Sequence, residues 1–160
     1  MAKKSAGLIM YTNNNSKLKI FLVHPGGPYF TKKDEGGWSI PKGLIEDNEE
    51  TLSAALREFE EETGLKPAGE FFPIGEVSMK SGKTIYAWAF EGTEDKNFLF
   101  SSNLFEMEWP PNSGKREKFP EADKFGFFAI EEAKQKINPS QIPLIDNLIM
   151  HLNSKIKNNH

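Results

Sequence analysis

Between Arg57 and Leu65 the chain reads REFEEETGL, and four of these nine residues are glutamates. On a helix Glu58, Glu61 and Glu62 fall at i, i+3 and i+4, so their carboxylates share one face. Like charges at that spacing repel by about 0.2–0.5 kcal/mol per pair. The C-terminal end of a helix carries partial negative charge, so an acid there is disfavoured by roughly 0.3–1 kcal/mol. Arg57 is the one base within the stretch. A solvated acidic face is one reading of such a run. The other is a divalent cation held among the carboxylates, which cancels the repulsion directly. An all-oxygen donor set suits magnesium or manganese and not zinc.

The wider spacing is more specific. Gly43 is followed by five residues, Glu49 and seven more, then Arg57, Glu58, apolar Phe59, a free position, Glu61, Glu62, a free position, Gly64 and apolar Leu65. This pattern resembles the Nudix box at every specified position, with an aromatic Phe59 where the family usually has an aliphatic residue. AGLIMY resembles the family's first core strand, WSIPKG its lead-in, and KFGFFAIEEA its closing strand and helix. The resemblance implies the Nudix fold, an α/β/α sandwich around a mixed β-sheet with the box as a loop–helix–loop. It also implies magnesium-dependent hydrolysis of a nucleoside diphosphate linked to another moiety, with manganese as the alternative metal.

Carried over position by position, the resemblance makes Glu58, Glu61 and Glu62 metal ligands, with the Gly43 carbonyl as a further one. Arg57 and Glu49 would hold the carboxylates in place. Glu58 and Glu121 are the candidate general bases, with Glu61 counted beside them as catalytic. Glu121 stands where the diadenosine tetraphosphate hydrolases of this family carry such an acid. Glu106, Glu108 and Glu117 are its neighbours in the same loop, and each of the four also reads as a plain surface acid. Lys42, beside the metal loop, is placed to meet a phosphate oxygen or to lie on the surface. Trp38 and Tyr86 are candidates to stack on a base, against the alternative of core aromatics in strands. Lys115, Arg116 and Lys118 form a small basic group that would steer a polyphosphate or simply be solvated. His24, His151 and His160 are scattered and make no metal constellation.

The substrate expected from these features is a nucleoside polyphosphate. A dinucleoside polyphosphate such as diadenosine tetraphosphate comes first, and a nucleoside triphosphate, oxidised ones included, second. A capped or triphosphorylated RNA 5′ end is a third reading, which the formal net charge of −3 does not favour for long RNA. A non-catalytic nucleotide-binding module of the same fold is the reading from a different class, and retention of all the box glutamates counts against it.

The elements that must position these residues follow from periodicity. The chain reads as α+β and as a single domain over residues 1–160, with an ordered core from about 5 to 152 and a frayed polar tail over 153–160. AGLIMY and KIFLVH are strands joined by TNNNSK, which has hairpin chemistry. The Gly- and Pro-rich stretch from Pro25 to Gly37 reads as a long loop. WSIPKGLI reads as a short broken strand. Leu52, Ala55, Leu56 and Phe59 form a helical apolar stripe over about Asn48–Thr63, with Asn48 or Thr51 as cap and Gly64 in the left-handed position after the end. FFPIGEVSM and KTIYAWAFEG are strands, NLFEMEWPPNSGKREKFPEAD is irregular, and KFGFFAI, EEAKQKI and QIPLIDNLIMHL read as strand, helix and helix. The chain has no cysteine, so disulfides, thiolate metal sites and cysteine nucleophiles are excluded. With no signal-like stretch and no membrane-length apolar run, the expectation is a cytoplasmic protein with no membrane or DNA partner. Monomer and homodimer are both open.

Overall fold

The structure, a computed structural model, describes residues 3–94 and 100–158. Strands β1 (Lys4–Asn14) and β2 (Lys17–Pro25) form a hairpin. Its two turn residues, Asn15 and Ser16, have φ of 53° and 65°. Two successive left-handed residues give the turn whose twist matches that of the flanking strands.

Every residue of β1 from Ser5 to Thr12 is buried, as expected of a strand covered on both faces. Ala6, Leu8 and Met10 pack toward Ala54, Ala55 and Phe59 of helix α1 (Thr51–Thr63). Ile9 and Tyr11 point the other way. They join Ala133 of α2 (Ile130–Lys136) and Leu144, Ile145 and Leu148 of α3 (Ile142–Asn158). The sheet between these helical layers runs β4 (Phe72–Ser78), β5 (Thr84–Glu91), β1, β2, β8 (Ala122–Ala129), with β3 (Lys42–Leu44) paired to β1. The β1–β5 pair is parallel and the rest are antiparallel, so the mixed-sheet sandwich is present.

One edge of β1 is shared. Tyr11–Asn14 pair with β2, while Ser5–Gly7 pair with β3. Between them the chain from Trp38 to Leu44 fills the wedge where β2 leaves β1. Val23 and Ser39 exchange two backbone bonds of 2.9 Å, and the Leu8 N–H donates to the Pro41 carbonyl at 3.1 Å. The wedge brings β3 beneath the C-terminal half of α1.

Three local expectations are corrected. Neither Asn48 nor Thr51 caps α1: Glu50 holds the cap position without a side-chain bond, and Asn48 sits in the preceding turn with φ 63°. The Thr51 hydroxyl instead accepts from Trp88 Nε1 at 3.2 Å. The stretch expected to be irregular contains a hairpin of β6 (Leu104–Glu108) and β7 (Arg116–Pro120). Its prolines fall outside the ladder interior, Pro110 and Pro111 in the connection and Pro120 at the strand end. Helix α3 does not stop near Leu152 but continues to Asn158, because NSKIK contains no glycine or proline to break it. Residues 159 and 160 of the expected tail, His160 among them, lie outside the described residues. The left-handed end of α1 is as expected: Gly64 has φ 77°, and its N–H donates to the Glu60 carbonyl at 2.8 Å. Among the described residues, no helix is long and apolar enough to cross a membrane.

Candidate functional site

The acidic end of α1 lies over β3. Glu58 is 9% exposed, and its carboxyl group occupies the space that a side chain at Gly43 would need. A Cβ at position 43 would overlap that carboxyl group outright. Glycine is required here for room and not for its dihedral freedom. The Lys42 backbone N–H donates to Glu62 Oε2 at 3.1 Å, so β3 also fixes the second carboxylate.

Arg57 ties the outer side together. Its Nε and Nη2 donate to the two Glu49 oxygens, each at 2.9 Å, a bidentate pair. Its Nη1 donates to Glu58 Oε1 at 2.8 Å, and Nη2 reaches the Leu44 carbonyl at 3.0 Å. The guanidinium hydrogen bonds hold Glu49 down to about 2, while Glu49 and Glu58 push Arg57 above its ordinary range. Replacing Arg57 by Lys removes the fork geometry while keeping the charge. We expect that variant to lose about 10–100-fold in activity, the scale of a lost supporting contact at a metal site. NMR titration of the Glu49 carboxyl should show it rising toward the ordinary carboxylate range. An unmoved Glu49 titration with full activity would mean that Arg57 is not the organiser.

Glu121 arrives from the opposite side, at the junction of β7 and β8. Its N–H donates to the Asn103 carbonyl at 2.8 Å, and the Asn103 N–H donates to the Glu61 carbonyl in the last turn of α1 at 2.8 Å. The Ser101 N–H likewise meets the Thr63 carbonyl at 2.9 Å. Two carbonyls left open at the helix end are thereby satisfied, and the same segment aligns Glu121 with the helix. The Gly26 N–H donates to the Glu121 carbonyl at 3.0 Å, closing the long loop against it.

One carboxylate oxygen each from Glu58, Glu62 and Glu121 lies within 4.8 Å of the others. Burial pushes Glu62 up to about 8, with Glu121 and Glu58 adding to the rise and Lys42 opposing it. Burial also raises Glu58, against the pull of Arg57, and raises Glu121, to which Glu58 and Glu61 add. Three oxygen donors, each disfavoured as an anion by burial and by its neighbours, fit a hard divalent cation. Glu61 stands outside this group, its oxygens 3.3 and 3.5 Å from Arg57 Nη1.

The remaining expected residues divide. Lys42 is partly buried at the carboxylates, its amine lowered first by desolvation and then by Lys83. Trp38 is a core residue, 5% exposed, with its Nε1 donating to Asp34 at 2.9 Å and its indole edge-on to Phe128 and His24. It borders a cavity as wall and is not an open platform. Tyr86 is partly buried on β5, next to Ala6 and Glu76 in the sheet, and lines neither cavity beside the carboxylates. Glu106, Glu108 and Glu117 stay on the exposed β6–β7 hairpin. Glu106 pairs with Arg116 at 3.0 Å, and Glu108 accepts from the Asn112 N–H at 2.7 Å. Lys115 and Lys118 are exposed on the same hairpin.

Two cavities meet at the carboxylates, sharing Lys42, Glu62, Glu121, Pro25 and Phe30. One, of about 320 Å³, runs toward Ser39, Asn138 and Gln141. The other, of about 600 Å³, opens toward Lys83 and Phe105. Lys83, Asn138 and Gln141 carry no motif and come from distant segments, so nothing local in the sequence marks them. His24 has more than the strand-end position read from sequence. Buried at 1% exposure, it bonds Asp123 through Nδ1 at 2.9 Å and the Lys33 carbonyl through Nε2 at 2.6 Å, fastening the loop to β8.

Comparison with known proteins bears on the family and the fold. The family model of the NUDIX domain matches residues 1–148. An mRNA-decapping protein g5R of African swine fever virus (isolate Pig/Kenya/KEN-50/1950) is 46% identical over 76 residues, which are 47% of this chain and 28% of that protein. Among solved structures, the NUDIX domain of Shewanella oneidensis NrtR complexed with ADP ribose superposes with a TM-score of 0.67 at 14% identity, covering 95% of this chain and 89% of that one. A C. elegans Ap4A hydrolase binary complex superposes with a TM-score of 0.65 at 18% identity, covering 96% and 99%. At these identities the two structures speak for the fold.

Proposed function

The chain belongs to the NUDIX family, and from that premise and its site we propose that it hydrolyses a phosphoanhydride bond of a nucleoside polyphosphate with a divalent cation bound. The observation that carries the reading is the convergence of Glu58, Glu62 and Glu121 at the meeting point of two cavities. A phosphate chain laid across the carboxylates has room for an organic group at either end. That favours a dinucleoside polyphosphate over a nucleoside triphosphate, which fills one cavity alone. A capped RNA 5′ end also has an organic group on each side of its phosphates. The similarity to a viral mRNA-decapping protein supports it as the second reading.

Glu58 and Glu62, with the Gly43 carbonyl, would hold magnesium or, alternatively, manganese. When bound, the cation supplies charge neutralisation at the phosphate oxygens and an acidified water. The chain does the rest. Lys42 meets a non-bridging phosphate oxygen as negative charge shifts during the displacement. Glu121, fixed from the far side of the site, accepts the proton of the attacking water. The new bond joins the water oxygen to phosphorus, and the anhydride bond breaks with its oxygen leaving on the departing phosphate. Arg57, Glu49 and Glu61 keep the carboxylates in place.

The test is a panel of dinucleoside polyphosphates, nucleoside triphosphates (oxidised ones included) and capped RNA, with and without magnesium or manganese, with products identified. We expect metal-dependent cleavage of dinucleoside polyphosphates. Glu121→Gln should lower kcat by about 10²–10⁴, the usual weight of a general base, while weakening cation binding less than Glu62→Gln does. Nucleotide binding without turnover of any member would instead make the protein a binding module.

A further inference from the structure

The smaller cavity ends in two side-chain amides whose orientation is set by backbone donors. Gln141 is 1% exposed. Its Oε1 accepts from the Ile40 N–H at 3.1 Å, which decides which end of the amide is oxygen. Its Nε2 donates to Ser39 Oγ at 3.0 Å, and that hydroxyl donates onward to the Ile40 carbonyl at 2.7 Å. One Nε2 hydrogen is left without a partner among the described residues. Asn138 is fixed in the same manner, its Oδ1 accepting from the Ser140 N–H at 2.9 Å. Both Nδ2 hydrogens of Asn138 are left without a partner among the described residues. Both amides line the cavity, together with the apolar surfaces of Phe30, Ile40 and Met79. Its amide end, away from the carboxylates, therefore offers donors, in a space of about 320 Å³, within the range of small-molecule pockets.

Resting on the proposed reading of the site, we infer that this cavity takes one base of the substrate and that the base is a 6-oxopurine. A guanine-type base presents two adjacent acceptors, O6 and N7, on one edge, whereas adenine places an amino donor beside N7. Facing unspent N–H groups, the adenine amino group opposes a donor to a donor beside buried Gln141, which is costly. This departs from the adenine of diadenosine tetraphosphate expected from sequence. Asn138 and Gln141 become the residues that read the base, while the carboxylates act on the phosphates regardless of it.

The experiment compares diguanosine with diadenosine tetraphosphate as substrates, and GTP with ATP and CTP in calorimetric binding. A preference for the guanine compounds of about tenfold or more, the equivalent of one hydrogen bond, is expected in both measurements. Asn138→Asp keeps an acceptor for the Ser140 N–H but turns the other end of the side chain from donor to acceptor. It should reverse the guanine-to-adenine ratio, which a merely structural defect would leave unchanged. Gln141→Glu, which retains the bond to Ile40, should move the ratio in the same direction. If that buried variant does not fold, Asn138→Asp decides. Guanine-selective binding without hydrolysis supports this inference while counting against the hydrolase. Equal use of both purines, a preference for adenine or cytosine, or an Asn138→Asp variant that scales both purines alike would overturn it.

Discussion

Glu62→Gln is expected to abolish the response to divalent cations and to raise the melting temperature of the metal-free protein. In the unfolded chain Glu62 ionises near the ordinary carboxylate value of 4.5, whereas in the fold it keeps its proton up to about 8. Between those two pH values the folded state binds the extra proton, so stability falls as pH rises through the window. Glutamine can still accept from the Lys42 N–H, yet carries no charge to desolvate. The variant should match the wild type below the ordinary carboxylate range and exceed it increasingly toward pH 8. Magnesium reverses the order, because it stabilises only the protein that binds it. Since binding must displace a proton below pH 8, wild-type cation affinity should also fall as pH is lowered. Activity should drop by roughly 10²–10³-fold or more, the scale of removing one charge-stabilising contact from a catalytic site. Thermal melts across the window, with chelator and with millimolar magnesium, check the stability claim. Equal wild-type and variant melts, or an intact magnesium response, would remove Glu62 from the ion site.

The second large effect is expected from Gly43→Ala. An added methyl would occupy the position of the Glu58 carboxyl group. Strand β3 has little freedom to retreat: Gly43 faces Ala6 in the sheet, and the neighbouring Leu44 carbonyl is held by Arg57. Glu58 must therefore leave, breaking its 2.8 Å bond to Arg57 and the three-carboxylate cluster. Forcing extra volume into a packed place costs about 1–3 kcal/mol. Chemical denaturation should show a loss of that size, and cation binding and turnover should disappear with it. A variant with unaltered stability and turnover would show that Glu58 does not rest on β3 in solution.

What could be read from sequence was what is local. The helical spacing of Glu58, Glu61 and Glu62 and the stripe ending at Phe59 need only one element, and so does the left-handed Gly64. Glu121 became visible through family resemblance, because its approach depends on Asn103 bridging to the end of α1. The β6–β7 hairpin was hidden by prolines that count as breakers in a linear reading but sit at ladder ends in space. Trp38 stands beside the box lead-in and reads as a candidate platform. Its burial against Phe128 and His24 follows from β8 and β2 lying side by side, which no window of sequence displays. The amides of Asn138 and Gln141 flank Pro139, where periodicity signals only an interruption.

The segment that satisfies the end of α1 has a consequence for the order of assembly. As the chain is synthesised, Glu58 and Glu62 emerge early, on a helix whose hydrogen bonds are local in sequence. Glu121 emerges later and reaches them only after β8 has docked along β2 and residues 101–103 have laid their N–H groups on the helix end. The carboxylate cluster is therefore completed only by a late part of the chain, and a nascent chain stalled before Glu121 would carry two of its three acids and lack the third.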